Sequence, residues 1–261
     1  MQRKEWRTFK YIRRGIEVQV QMVFKPSKTY TKRNTNNLYF RITTLFMYFV
    51  IVIAVFCCLI PFAVGLLCYR NLSEASRIIF YSICWSVFSE VVSIYLAKVY
   101  HKNLLWLSIY QLLNFMIYLW FFYSTQKSYR NTIYLYFVVS SSCITYWFVE
   151  RMFIFGWNEL GYFQIIISLI ITAFAIKLLL QELSIHQQTT TYTPLFYFAL
   201  AMLIHQIMLG FIYTINLFLE DTSVQLKHAI WLINSVGFVV FYVLIAFGFY
   251  KSKILKQPRS Y

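Results

Sequence analysis

The chain has 261 residues, of which 60% are hydrophobic and 21% aromatic, while only 13% carry a charge. Soluble domains contain about 25% charged residues, so a soluble fold could not cover this much apolar surface. The net charge is +15, but the basic residues concentrate in the first 41 residues and at the ends of apolar segments, with no nucleic-acid-binding motif beside them. The composition excludes a soluble enzyme, argues against a nucleic-acid partner, and predicts contacts with membrane lipids.

Residues 1–41 form a basic amino-terminal tail whose pattern supports more than one structure. Apolar residues recur at helical spacing from Trp6 to Val23, as in an interfacial amphipathic helix. The stretch Ile16–Phe24 also alternates as a strand does. The alternatives are an unstructured tail and a later start, at Met22 or Met47.

Seven apolar segments follow, each long enough to cross the hydrocarbon core of a bilayer, which needs about 20 residues. The sequence therefore predicts an all-α, polytopic membrane protein whose seven-helix bundle occupies residues 42–250, followed by a basic carboxyl-terminal tail at 251–261. The predicted spans are roughly 43–69, 78–97, 104–123, 132–149, 162–180, 194–219 and 229–250.

Two prolines refine this prediction. Pro194 suits the first turn of the sixth span, where its missing N–H has no helical partner to lose. Pro61 lies inside the first span, and we expect it to kink that helix because it removes a backbone hydrogen bond.

Basic residues near the span ends leave the orientation open, because the two sides carry equal numbers of lysine and arginine. Without the first 41 residues, the side that holds the carboxyl terminus is the more basic, and it is then expected in the cytoplasm. We expect a plasma-membrane (inner-membrane) location.

A polar stripe runs along the second span. Ser82, Ser86, Ser89 and Ser93 are spaced four, three and four residues apart, and Glu90 lies four residues after Ser86. This spacing places them on one helical face, which we expect to face the bundle interior because a carboxylate is costly against lipid. An intramembrane acid is a functional-site hypothesis by default, although a neutral glutamate held by hydrogen bonds is a structural alternative.

Polar residues of three other spans complete the candidate site. His205 is the most plausible chemical partner of Glu90, followed by Asn114 and Asn234. The candidate ligand-binding or polar-core residues are Glu90, Ser86, Ser93, Asn114, His205 and Asn234.

The sequence lacks the residue patterns that several kinds of catalytic, metal or cofactor site require. The five cysteines lie in apolar segments without a Cys-x-x-Cys or Cys/His pattern, and there is no nucleophile elbow, phosphate loop or zinc-protease motif. The seventh span has no lysine for a retinal Schiff base. We therefore expect neither a metal nor another cofactor. A lipid-modifying enzyme that uses Glu90 and His205 as an acid/base pair stays open.

Four stretches of the sequence are similar to those of other membrane proteins, namely RNLSEASRIIFYSICWSVFSEVVSIYLA, KNLLWLSIYQLLNF, YTPLFYFALAML and HAIWLINSVGFVVFYVLIAFGF. They resemble small seven-span proteins common in Bacteroidota, a family without an assigned activity. The resemblance covers residues 60–250 and implies the same fold. Relatives often have a glutamate where this chain has Asn114, which argues against a two-carboxylate mechanism.

These observations favour a non-enzymatic, sensor-like or partner-binding membrane module. Its polar interior is expected to take a small ligand, a lipid group or a proton, and its tails are expected to meet another membrane or cytoplasmic signalling protein. A small-solute or proton transporter and the lipid-modifying enzyme are the alternatives.

Overall fold

The computed structural model describes residue 53 and residues 56–100, 104–126, 130–154, 162–185, 192–218 and 224–256. Residues 1–41, and with them the tail for which the sequence left helix, strand and coil open, lie outside the described part. Most of the amino-terminal half of the first predicted span lies outside it as well.

The described chain is helical. Its helices are α1 (Leu59–Cys68), α2 (Glu74–Tyr100), α3 (Leu104–Thr125), α4 (Arg130–Val149), α5 (Phe163–Ile185), α6 (Pro194–Phe218) and α7 (Val224–Lys256). A 3₁₀ turn, Tyr69–Asn71, follows α1, and a π-helical turn, Glu150–Ile154, follows α4.

Six of these helices are long and apolar enough to cross a membrane, namely α2 to α7, whereas α1 with its 3₁₀ turn is a shorter apolar helix. The protein is thus an α-helical, membrane-embedded bundle, as the sequence predicts at this level of detail. The helices overlap the predicted spans and extend several of them. The longest extension is in α7, which continues through the first six residues of the predicted carboxyl-terminal tail.

The predicted position of Pro194 has a local counterpart. Pro194 is the first residue of α6, and the Thr193 hydroxyl before it accepts a hydrogen bond from the N–H of Phe196 at 3.4 Å, which is the geometry of a helix cap. Pro61 is the third residue of α1, and the kink predicted for the first span stays a prediction.

The helices form a ring in chain order. Neighbouring helices pack against each other from α1 to α7, and α1 closes the ring by packing on α7. Contacts of α3 with α5 and of α2 with α6 cross the ring. The peripheral helix is α4, which packs on α3 and α5 and has a mostly exposed surface, as a lipid-facing helix does.

Close contacts between glycines and phenylalanine rings pack α1 against α2 and α6 against α7. A methyl group at Gly248 of α7 would lie 2.7 Å from Cδ1 of Phe198 on α6, and one at Gly65 of α1 would lie 2.8 Å from Cε2 of Phe80 on α2. Phe249 joins the two contacts, with its ring 5.3 Å from that of Phe198 and 6.1 Å from that of Phe80. The missing side chains let the backbones approach closely, as small residues do between membrane helices.

Hydrogen bonds between helix ends define the two ends of the bundle. At the first end, Ser76 near the start of α2 meets Ser252 near the end of α7, with 3.4 Å between their hydroxyl oxygens. We call this the Ser252 end. At the other end, the N–H of Phe163, the first residue of α5, donates to Glu150 at 2.9 Å. We call this the Glu150 end.

Candidate functional site

The serine stripe of α2 is turned inward. Ser82, Ser86 and Ser89 are buried and Ser93 is half-buried. The hydroxyl of Ser86 donates to the carbonyl of Ser82 at 3.0 Å, and back-bonding of this kind satisfies a hydroxyl inside an apolar helix. The stripe therefore faces protein along most of its length.

Glu90 departs from that expectation. Its side chain is exposed, so the prediction that the carboxylate is covered together with the serines is wrong for the described chain. Because an α-helix has 3.6 residues per turn, Glu90 lies about 100° around α2 from Ser89 and about 40° from Ser86, at the margin of the buried face. Glu90 lies at the edge of the stripe and within electrostatic range of Cys58.

A tyrosine of α3 meets the stripe near this edge. The hydroxyl of Tyr110 on α3 lies 3.0 Å from that of Ser86, one helical turn from Glu90. Tyr242 on α7 is 5% exposed. Tyr110 and Tyr242 are both within electrostatic range of Glu90, and Tyr213 on α6 is within range of Tyr110. The hydroxyl pair of Ser86 and Tyr110 therefore lies one helical turn from Glu90 along α2.

A hydrogen-bonded chain of side chains ties three helices together beside this cluster. The amide of Gln164 on α5 donates to the side-chain carbonyl of Gln111 on α3, and the amide of Gln111 donates to the hydroxyl of Tyr213 on α6. Gln164 is buried. These residues are interhelical hydrogen-bond partners of the kind that membrane helices use for association.

The two asparagines occupy different places. Asn114 and Ser82 both lie near the hydroxyl of Tyr118. Among the described residues, however, neither Oδ1 of Asn114 nor Oγ of Ser82 has a partner at hydrogen-bonding distance and angle. Asn234 is buried on α7, 7% exposed. The structure thus brings Asn114 next to the serine stripe and shows no hydrogen bond from Asn234 to it among the described residues.

His205 is not paired with Glu90. Its ring is 6% exposed and lies against two rings of α7, 4.5 Å from that of Phe241 and 4.9 Å from that of Phe238. Neither ring nitrogen has a hydrogen-bond partner in the described chain. The partnership that the sequence favoured for these two side chains is therefore absent from the described structure.

Sequence reasoning missed two features. Glu150 and Arg151 were assigned to a loop, but both are buried, and Oε1 of Glu150 accepts from the Tyr146 hydroxyl at 3.3 Å as well as from the backbone of α5. The carboxylate stabilises the start of that helix, where the backbone N–H groups lack helical partners. The position of Glu150 and Arg151 directly after an apolar segment was the feature of the sequence that could have indicated their burial.

The interior tyrosines were the second omission. The chain has 22 tyrosines, and most lie near span ends, where they are expected at the membrane interfaces. Tyr110 lies four residues before Asn114, and Tyr213 lies eight residues after His205. Only this helical spacing distinguishes them from the other tyrosines. That spacing is a weak signal without knowledge of which helix faces meet.

Among the described residues, no group of three or more histidine, cysteine, aspartate or glutamate side chains could hold a metal ion. No family model matches the chain, and neither a curated protein nor a solved structure matches it. The arrangement itself is an exposed carboxylate at the edge of a buried hydroxyl stripe, one helical turn from the hydroxyl pair of Ser86 and Tyr110.

Proposed function

We propose that the protein is a non-enzymatic, sensor-like membrane module in which seven spans, the first including α1, form a bundle that binds a small ligand at Glu90. We place it in the plasma membrane with the carboxyl terminus in the cytoplasm. The observation that carries the proposal is the position of Glu90, which is accessible at the edge of a polar interior face. An accessible carboxylate at membrane depth needs a partner to offset its desolvation.

The geometry gives less support to an enzyme. Acid/base catalysis by Glu90 and His205 requires both groups within hydrogen-bonding reach of one substrate. The His205 ring instead lies against two phenylalanines of α7. A binding role needs only that Glu90 be reachable, which its exposure provides.

The test compares wild-type protein with Glu90→Gln in the native membrane. Quantitative crosslinking should recover a partner protein whose yield changes in the variant at equal expression, while lipid turnover and solute uptake stay unchanged. Glu74→Gln, which removes the other carboxylate of α2 at the opposite end of that helix, serves as the matched control. If no complex forms while Glu90→Gln abolishes lipid turnover or uptake, the enzyme or transporter alternative replaces the sensor.

A further inference from the structure

Lys177 places a positive charge inside an apolar membrane-spanning helix. It lies eight residues before Ile185, where α5 ends, so its Cα is about 12 Å from that end of the helix. Its side chain is exposed, and its ammonium group donates to Oε1 of Gln126, directly after α3, at 3.1 Å. An ammonium group has three donors, and this carbonyl oxygen is the one acceptor that the described chain offers it.

Gln126 brings a second unsatisfied donor to the same place. The side chain is 7% exposed, and its amide nitrogen Nε2 is buried without a hydrogen-bond partner among the described residues. The amide cannot be turned round to remove this donor, because a lysine ammonium only donates and therefore has to face the carbonyl oxygen. Buried polar groups are normally hydrogen-bonded, so the free Nε2 indicates that an acceptor is missing.

The described chain supplies no acid as that acceptor. Glu182, the acid of α5, is buried and accepts from the hydroxyl of Thr193 beside the start of α6. Lys177 forms no ion pair with any described residue. One helical turn deeper in the membrane, the space between the helices is filled by aromatic rings, since Tyr136 of α4 stacks on Phe174 with 5.0 Å between centroids. The acceptor therefore has to come from outside the described chain.

A phosphate group suits these two donors. Its oxygens are strong acceptors, and lysine binds phosphate as a point charge. Nε2 and Oε1 of Gln126 are bonded to the same carbon, so the free donor lies next to the ammonium group. The contact also places that ammonium group at the level where α3 ends. A lysine stem lets the charged group reach the membrane interface from there, which is the depth of the lipid phosphates.

We infer that Lys177 and Gln126 form a binding site for the phosphate group of an anionic phospholipid, in the leaflet at the Ser252 end of the bundle. The ammonium group of Lys177 supplies the charge. Gln126 holds this group through Oε1 and donates a second hydrogen bond from Nε2. The inference goes beyond the proposed ligand site at Glu90, because it concerns other helices and an outward-facing side chain.

The experiment measures lipid binding to the full chain by native mass spectrometry. The probes are phosphatidylglycerol, which is anionic, and phosphatidylcholine, whose phosphate is balanced by its own ammonium group. Wild-type protein should bind phosphatidylglycerol at least about fivefold more tightly, and Lys177→Gln should remove that preference, since one lysine at an anionic surface contributes about this factor. Lys253→Gln removes an exposed lysine of α7 at the same end and should leave the preference within about twofold of wild type.

A substitution at Gln126 tests the second donor. Gln126→Glu keeps the size of the side chain but places a carboxylate beside Lys177. The new acid pairs with the ammonium group and repels phosphate, so the preference for phosphatidylglycerol should fall by about fivefold or more. A thermal melt shows whether each variant is folded.

The outcomes separate the possible ligands. Equal losses in Lys177→Gln and Lys253→Gln would mean that anionic lipid follows the general charge of this end, which overturns the site. An unchanged preference in Gln126→Glu overturns the role of the amide. Inorganic phosphate that binds in phosphatidylcholine nanodiscs, requires Lys177 and displaces phosphatidylglycerol would show that the ligand is a free phosphate and that the lipid assignment is wrong. The crosslinking test of Glu90→Gln is independent of all three results.

Discussion

The imidazole of His205 is enclosed by the rings of Phe238 and Phe241, and both of its nitrogens are buried without a hydrogen bond in the described chain. A buried polar group that lacks a partner costs about 1–3 kcal/mol. The surrounding rings already form a site shaped for a third aromatic ring. His205 therefore contributes packing, while its nitrogens reduce stability.

His205→Phe should therefore not destabilise the protein. The phenylalanine ring fills the same place and removes the unpaired nitrogens, so the free energy of unfolding should stay equal or rise by about 1 kcal/mol. His205→Ala leaves a cavity and should lower it by about 2 kcal/mol or more. Reversible unfolding in mixed micelles measures both variants. A destabilised His205→Phe protein would show that the imidazole has a polar partner, as an acid/base role requires.

At the scale of the helix, close contacts at glycines bring α1, α6 and α7 together. The contact of Gly248 with Phe198 involves a phenylalanine that is fully buried. Its ring cannot swing into solvent or lipid to make room. Gly210 on α6 differs, because a methyl group there would meet only Cβ of Ser168, at an ordinary 3.4 Å.

The two glycines give a matched pair of substitutions. Gly248→Ala should lower the free energy of unfolding by about 1–3 kcal/mol, because the new methyl group overpacks the contact between α6 and α7. Gly210→Ala should be neutral or stabilising by up to about 1 kcal/mol, because alanine is the better helix former. Thermal melts in nanodiscs compare them. Equal loss in both variants would mean that helix flexibility, and not close packing, explains the glycines.

The helices themselves were predictable, whereas the contacts between them were not. A spanning helix is a local property, since about 20 apolar residues suffice to define it, and all six long helices coincide with predicted spans. The inward face of α2 was also predictable, because three- and four-residue spacing fixes which serines lie together. Whether Glu90, at the margin of that face, is covered depends on which helices pack beside α2, and nothing in the sequence of α2 contains that information.

The same limit explains His205 and Glu150. Chemistry alone suggested that His205 would find the acid, but the rotation of α6 in the ring turns it toward the phenylalanines of α7. Glu150 follows an apolar run and looks like a loop residue. Its burial depends on a contact with the first backbone N–H of α5, thirteen residues further along the chain.

At the scale of the whole molecule, the described basic side chains are distributed unevenly between the two ends of the bundle. Arg70, Arg77, Lys251 and Lys253 lie at the Ser252 end. Lys177 belongs to the same end, because its ammonium group donates to Gln126 just after α3 at 3.1 Å. The described basic side chains of the Glu150 end are Lys98 and Arg151, and Arg151 is buried beside Glu150.

This asymmetry predicts the orientation that the charge count of the whole sequence left undecided. Lysine and arginine near span ends favour the cytoplasmic side, and a buried arginine beside an acid contributes little to that preference. The Ser252 end, and with it the carboxyl terminus, should therefore face the cytoplasm. Alkaline phosphatase fused in a bacterial host after residue 102 should be active outside, and fusions after residues 127 and 256 should be inactive.

A fusion after residue 41 tests the first span in the same experiment, with green fluorescent protein in place of phosphatase as the reciprocal control for each site. If α1 and the residues before it cross the membrane, residue 41 lies on the outer side and a fusion after residue 71 lies inside. Equal phosphatase activity at 41 and 71 would show a six-span protein, whereas activity after residue 256 would reverse the orientation. Because six helices carry the chain from α2 to α7, only this first crossing decides whether the amino-terminal tail lies on the same side as the carboxyl terminus.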